Sequence, residues 1–421
     1  MTPRVLVLSN NAFSNSDSNG RTLANFLEGW PKECLAQFFL QGTDLNFDVC
    51  DNFFRVSDKQ ALKSVFGIAF DGKIKQETFV NNANSSGIRK KVKKNPLTML
   101  CRTLIWNVKC WKRFGYNKWL ENFQPEIVLL QAGDSPFMYR LACDIVQKYD
   151  AKLVIYNSEG YYFKDYDYFK SHGITHLFYP LFLKELRRNL EHAYNKAKVV
   201  IYSCDTLKKD YDKVFTTPSK VFYTASGMKP YIDEKKQNHF EVSYCGNLGI
   251  NRHKSLIQIA DSLQEISEDI FVNVYGRIPN ELVKNELSEC KGIVYKGFVP
   301  YNEVKEIMYR SDLLLHVESF DEFYIEDLKY AFSTKIADSV SCGKPFLVYA
   351  PANLACTQYL IENNAAHVIS KKEDLIETLR KLVDDYEFRN CYVKNAILIS
   401  EKNHNQLLNT QRFQEILNDL Q

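Results

Sequence analysis

The chain has 421 residues, 45% of them hydrophobic and 25% charged, with a net charge of +3. That is too long for one compact domain and too apolar for a disordered chain, so two globular domains are expected. No apolar run approaches the ~20 residues of a membrane-spanning helix, and eleven cysteines without a C-x-x-C pair read as reduced thiols of a cytoplasmic protein.

Met1–Leu8 holds one short apolar run before the polar stretch Ser9 to Gly20, which does not fit a secretory signal. Short apolar runs then alternate with helical patterns. Expected strands are Val5–Leu8, Ile127–Leu130, Leu153–Tyr156, Val199–Tyr202 and Val221–Tyr223 in the first half. In the second half they are Val242–Cys245, Phe271–Tyr275, Ile293–Tyr295, Leu313–Val317 and Phe346–Tyr349. Near-continuous apolar strands separated by helices imply parallel sheets buried on both faces. The fold class is therefore α/β, with two doubly wound, Rossmann-like domains. The boundary falls in the polar stretch Lys229–His239, giving domains 1–232 and 233–400, and a helix over 401–421 returns to the first domain.

One window departs from the average. Phe79 to Leu120 carries ten Lys or Arg and no acid: Arg89, Lys90, Lys91, Lys93, Lys94, Arg102, Lys109, Lys112, Arg113 and Lys118. Trp106, Trp111 and Trp119 lie in the same window. Basic residues interleaved with Trp and Leu suit anionic lipid headgroups. A solvated loop followed by a core helix has the same pattern. No recognised motif supports nucleic acid as the partner.

In open parallel sheets, ligands gather at the carboxyl ends of the strands. Gly20, in Ser18-Asn19-Gly20-Arg21-Thr22 after the first strand, would let a phosphate or sugar approach the backbone. After Val242–Cys245 comes Gly246-Asn247-Leu248-Gly249-Ile250-Asn251-Arg252-His253-Lys254. Cations at a helix start oppose the helix dipole, so Arg252 and Lys254 are better explained with an anion between them. Ser333-Thr334-Lys335-Ile336-Ala337-Asp338 opens a helix that Gly343 and Pro345 close. Its free N–H groups suit a phosphate and Asp338 suits ribose hydroxyls, although an ordinary helix cap has the same spelling. Asp165-Tyr166-Asp167 and the pair His172 and His176 are the metal alternatives, and neither has further ligands nearby. There is no G-x-G-x-x-G after the first strand and no G-x-x-x-x-G-K-[ST], which disfavours a dehydrogenase and a P-loop ATPase.

Taken together, Gly246-Asn247-Leu248, Tyr275-Gly276, Lys296 to Tyr301, Ser311 to Leu315 and Ser333 to Pro345 resemble, in order and spacing, the nucleotide-sugar domain of the retaining family 4 glycosyltransferases. That family has the two-domain GT-B fold, with two Rossmann-like domains facing across a cleft. The Ser-Thr-Lys-Ile variant is similar to enzymes of bacterial capsule and surface-polysaccharide assembly. The resemblance implies a nucleotide-diphosphate sugar donor, a saccharide or lipid-linked acceptor, and no metal or other cofactor.

It also implies site residues. Arg252 and Lys254 would neutralise the diphosphate, with Gly246, Asn247, Ser333, Thr334 and Lys335 around it and Asp338 on the ribose. Apart from the resemblance, Glu159 and Gly160 are expected on the acceptor side because they follow the Leu153–Tyr156 strand, with a structural carboxylate as the alternative for Glu159. The family's two glutamates stand eight residues apart, whereas here Asp338 holds the second position and Tyr330 the first. Glu318, Asp321 or Glu322 would then supply the missing carboxylate, with Glu318 taken as the catalytic candidate. The family's usual arginine after the glycine is Asn247. The expected protein is a cytoplasmic glycosyltransferase able to contact the inner face of a membrane through 79–120. A nucleotide-sugar epimerase on the same fold and a non-catalytic GT-B partner subunit are the alternatives.

Overall fold

The computed structural model describes residues 2–14, 18–42, 44–74, 76, 94–231 and 239–420. Residues 232 and 233, between which the sequence sets the domain boundary, lie outside the described residues. By packing, the chain divides into Met1–Phe222 with Leu407–Gln421 and Tyr223–Gln406.

The first unit is built on β1 (Val5–Asn11), β2 (Leu35–Gln41), β3 (Phe53–Arg55), β4 (Lys73–Ile74), β5 (Ile127–Gln131), β6 (Lys152–Asn157), β7 (Val199–Tyr202) and β8 (Ser219–Val221). Their order is β4-β3-β2-β1-β5-β6-β7-β8. All pairs are parallel except β3 with β4. β5 is buried at every position, as a strand covered by helices on both faces must be. Four helices of this unit recur below: α1 (Ser18–Phe26), α2 (Pro96–Asn107), α3 (Pro136–Tyr149) and α4 (Tyr179–Lys196). α2 starts where the sequence allows it to. The Asn95 side chain accepts from Thr98 N at 2.9 Å, Thr98 Oγ1 accepts from Asn95 N at 3.1 Å, and Pro96 sets the first turn.

The second unit holds β9 (Val242–Cys245), β10 (Val272–Tyr275), β11 (Ile293–Gly297), β12 (Leu313–Val317), β13 (Phe346–Tyr349) and β14 (His367–Ile369). Its order is β11-β10-β9-β12-β13-β14, all parallel. Relabelled from one to six, this is the doubly wound order 3-2-1-4-5-6, whose direction reverses between β9 and β12. Two helices of this unit matter most, α5 (Arg252–Ile266) and α6 (Thr334–Ser341).

The last helix, α7 (Gln406–Asn418), adds Phe413, Ile416 and Leu417 to the core of the first unit. Phe413 stacks on Phe26 of α1 at 4.5 Å between ring centroids. Each such side chain contributes about 1.5–3 kcal/mol by leaving water.

Candidate functional site

The reversal between β9 and β12 opens a crevice at their carboxyl ends, and the backbone there is unusually close-packed. Gly246 N donates to Tyr275 O at 2.8 Å, and Gly276 N donates to Gly297 O at 2.9 Å. A Cβ on Gly276 would lie 1.9 Å from Gly246 O, so only glycine lets these two loops touch. The next turn is strained. Ile250 and Asn251 have φ of 52° and 59°, a region that a β-branched residue rarely enters. Asn247 Oδ1 accepts from Gly249 N at 2.8 Å and holds that turn. Asn251 does not cap α5; its amide donates to Asp321 Oδ2 at 3.0 Å. α5 therefore begins without a side-chain cap, leaving N–H groups and the positive end of the dipole for another acceptor.

The first residue of α5 and the first residue after β12 form the centre. Arg252 Nε donates to Glu318 Oε2 at 2.7 Å and Nη2 donates to Oε1 at 3.1 Å. Glu318 is 2% exposed, Ser255 Oγ donates to its carbonyl, and His316 Nε2 lies 3.3 Å from its Oε1. Burial works against both charges. The proximity of His316 and Arg252 outweighs it at Glu318, whose carboxyl is held below its ordinary pKa. At Arg252, Glu318 outweighs the burial and raises the guanidinium. The fork geometry occupies one side of the guanidinium and leaves its other N–H groups for a ligand.

Lys335 joins this pair from the first turn of α6. Burial, then the charge of Arg252, lowers its pKa, and Glu318 and Asp338 only partly offset them. Among the described residues, no carboxylate lies within ion-pair distance of its ammonium. Ser333 caps α6 by accepting from Lys335 N, and Thr334 is the first helical residue. One strained loop, one uncapped helix end and two cations around one buried carboxylate thus meet at the switch point. That arrangement can hold a compact polyanion.

Comparison with known proteins follows the same lines. Residues 252–418 match the family described as glycosyl transferase-like. Among curated proteins none matches. Among solved structures, HepE of Anabaena in complex with UDP and glucose aligns with a TM-score of 0.61 at 12% identity, over 99% of this chain and 100% of that one. Sucrose-phosphate synthase from Thermosynechococcus elongatus gives 0.65 at 9% identity over 99% of both chains. WaaG, a glycosyltransferase involved in lipopolysaccharide biosynthesis, gives 0.56 at 13% identity over 98% of this chain and 99% of that one. The fold is GT-B.

On this GT-B frame the other residues singled out in the sequence fall into place unevenly. Lys254 is exposed on α5 two residues beyond Arg252, a spacing that turns it to the other side of the helix. Asp338 is 4% exposed, and its Oδ1 already accepts from Ser226 Oγ at 2.6 Å and Tyr301 OH at 2.9 Å. Tyr330 is buried with the Lys329 ammonium 4.8 Å from its ring centroid. Of the three acids expected to replace the family's first glutamate, only Glu318 joins Arg252. Asp321 caps a helix through Phe323 N, and Glu322 is exposed in that helix.

In the first unit, a Cβ on Gly20 would lie 2.2 Å from Ala12 O, so this glycine is required by the packing of α1 against the end of β1. Glu159 follows β6, half-buried, with its N–H on Asn157 Oδ1 and its carbonyl accepting from Tyr211 OH. Asp165 pairs with Arg187, while Asp167 accepts from Ser171 and lies 3.0 Å from His176 Nδ1. Among the described residues, no group of three or more His, Cys, Asp or Glu is placed to hold a metal ion.

The basic window is corrected in part. Trp106, Trp111 and Trp119 are buried, with Trp106 stacked on Phe137 at 4.5 Å, so they face the core and not lipid. Lys94 pairs with Asp134, Arg102 with Asp58, and Lys109 and Lys112 with Asp144. Arg89, Lys90, Lys91 and Lys93 lie outside the described residues.

Phe298 enters the sequence reading only as part of the stretch Lys296 to Tyr301, and its pairing with Arg277 escaped it. Arg277 and Phe298 stand at the carboxyl ends of β10 and β11, with the guanidinium 4.3 Å from the ring centroid. Phe298 is 60% exposed, a large flat surface beside the Gly246–Gly276 contact. An aromatic directly after a strand-ending glycine was the available signal.

Proposed function

We propose that this chain is a retaining glycosyltransferase of the family 4 type. It moves a sugar from a nucleoside diphosphate to a saccharide or lipid-linked acceptor in surface-glycan assembly. The observation that carries the reading is the Arg252–Glu318 pair at the switch point, with Lys335 beside it. The glycosyl transferase-like match over 252–418 and the UDP bound by HepE support it.

In this reading the diphosphate lies across the N-termini of α5 and α6. Arg252 and Lys335 neutralise the charge that grows on the leaving phosphate as the glycosidic bond breaks, and Glu318 keeps the guanidinium aimed. Arg277 and Phe298 offer a face for the base. Gly20 and Glu159 belong to the acceptor side, and the chain works at an anionic membrane surface. Charge on the diphosphate is met by side chains and helix ends, so turnover is metal-independent.

The test is release of nucleoside diphosphate from a panel of nucleotide sugars, with and without acceptor, in excess chelator. Acceptor-dependent release supports the proposal. Release without any acceptor, interconversion of the sugar, or no turnover of any donor overturns it. Activity lost in chelator and restored by Mn²⁺ would transfer the role of the cations to a metal.

A further inference from the structure

The first unit carries a groove of about 1000 Å³ between α2, α3 and α4. Its walls differ in kind. α2 contributes Leu97, Leu100 and Leu104, spaced three and four apart and therefore on one face. α4 contributes Arg188, His192 and Lys196, one turn apart in succession. The acids lining the groove are already engaged: Asp144 with Lys109 and Lys112, Glu185 with Arg140, and Glu191 with the Tyr162 hydroxyl. Arg188 and Lys196 are exposed, and among the described residues neither has a carboxylate within ion-pair distance.

An oily wall facing one that carries two exposed cations outside any ion pair among the described residues fits an anionic amphiphile. Two further observations decide which kind. Ile174 and Leu177 stand just before α4, 72% and 73% exposed, and do not line the groove. An acidic helix lying in the groove would leave both in water. A bilayer surface covers them together with the groove. In addition, α2 belongs to the 79–120 window, which contains no acidic residue to repel such a surface.

We propose that this groove seats a phospholipid of an anionic bilayer, with its alkyl chain along α2 and its phosphate on the Arg188–Lys196 stripe. The membrane contact of the proposed function is thereby assigned to aliphatic side chains and α4 cations, and not to the tryptophans. The assignment does not depend on the transferase reading.

The test is flotation of the full chain with phosphatidylcholine vesicles, with and without phosphatidylglycerol. The wild-type protein floats only with phosphatidylglycerol and is released by raised salt. Each cation near an anionic surface is worth about 1 kcal/mol, so the double variant Arg188→Gln/Lys196→Gln lowers the partition roughly 30-fold. Leu104→Ser/Leu181→Ser lowers it as well while leaving the salt dependence intact. All four positions are exposed, and an unchanged urea midpoint followed by tryptophan emission, which reports the first unit, verifies that each variant is folded. A wild-type chain that stays unbound, variants that float as well as wild type, or capture of an acidic amphipathic peptide in place of vesicles overturns the assignment. A chain that floats as stated yet transfers no sugar overturns only the transferase reading.

Discussion

The Arg252–Glu318 pair separates a structural from a chemical role by a double replacement. Glu318 is 2% exposed and both hydrogen bonds of the fork are short, so removing either partner leaves a desolvated charge behind. Breaking such a pair costs about 3–5 kcal/mol, whereas replacing both members by apolar groups of similar volume is often neutral or better. Arg252→Met and Glu318→Leu are each expected to destabilise the chain by about 3 kcal/mol, and the double variant to recover most of that loss.

Turnover should behave differently. Without the guanidinium, kcat/KM is expected to fall roughly 10²-fold, about 2.7 kcal/mol of transition-state stabilisation, and the double variant stays there. Stability is read by urea unfolding followed through ellipticity. Tryptophan emission reports only the first unit, because Trp30, Trp106, Trp111 and Trp119 all lie there. A double variant with near-normal turnover would refute the diphosphate role, and one no more stable than either single variant would refute the buried-pair argument.

Three other outcomes follow. Phe298→Ala and Arg277→Ala should each weaken nucleoside diphosphate binding by roughly tenfold in calorimetry with little change in melting temperature, since the pair is exposed; stacking on such faces is worth about 1–3 kcal/mol. Lys335→Met should raise the melting temperature of the free protein, because it removes a desolvated cation beside Arg252. The same change should abolish the stabilisation by UDP, which for the wild type is about 2.7 kcal/mol at a hundred times Kd. His404 is fully buried between Thr224 O at 2.7 Å and Tyr359 OH at 2.8 Å, and burial pushes its pKa down to about 4. A lowered folded value means that its contribution is complete above the unfolded value near 6.5 and is lost as pH falls toward 4. That loss is about 3 kcal/mol, and it should vanish in His404→Gln if stability is measured across that window.

Much of the sheet framework was legible because a strand buried on both faces has to be apolar at successive positions. Val242–Cys245 and Leu313–Val317 are such strands, and both lie where the pattern puts them. β2 was missed for an instructive reason. Gln37 interrupts its apolar run, yet it is fully buried, accepting from Phe13 N and donating to Ser9 Oγ, both at 2.8 Å. No local pattern can show that a polar residue will be satisfied 28 residues away. β3, β4 and β14 are too short for period or composition to register. The tryptophans failed in the opposite direction. A stripe of Trp and Leu with cations between them has one spelling for lipid and for core, and only the partners Phe137 and Asp58 decide it.

At the site, Arg252 was legible from its place at a helix start, but its partner was not. Three acids follow β12, and what distinguishes Glu318 is that it leaves the strand still buried, whereas Asp321 and Glu322 have already turned into the next helix. The charge balance then gives the site its direction. Glu318 compensates one cation of two, and Asp338 spends a carboxylate oxygen on the Ser226 and Tyr301 hydroxyls. The second cation, Lys335, is left under-compensated next to an uncapped helix end. Such an arrangement is costly without an anion and is relieved by one. Ile250 and Asn251 add backbone strain in the same loop, where a glycine would have been cheaper. Stability is therefore given up where the proposed donor binds, and the diphosphate is the group whose charge would restore it.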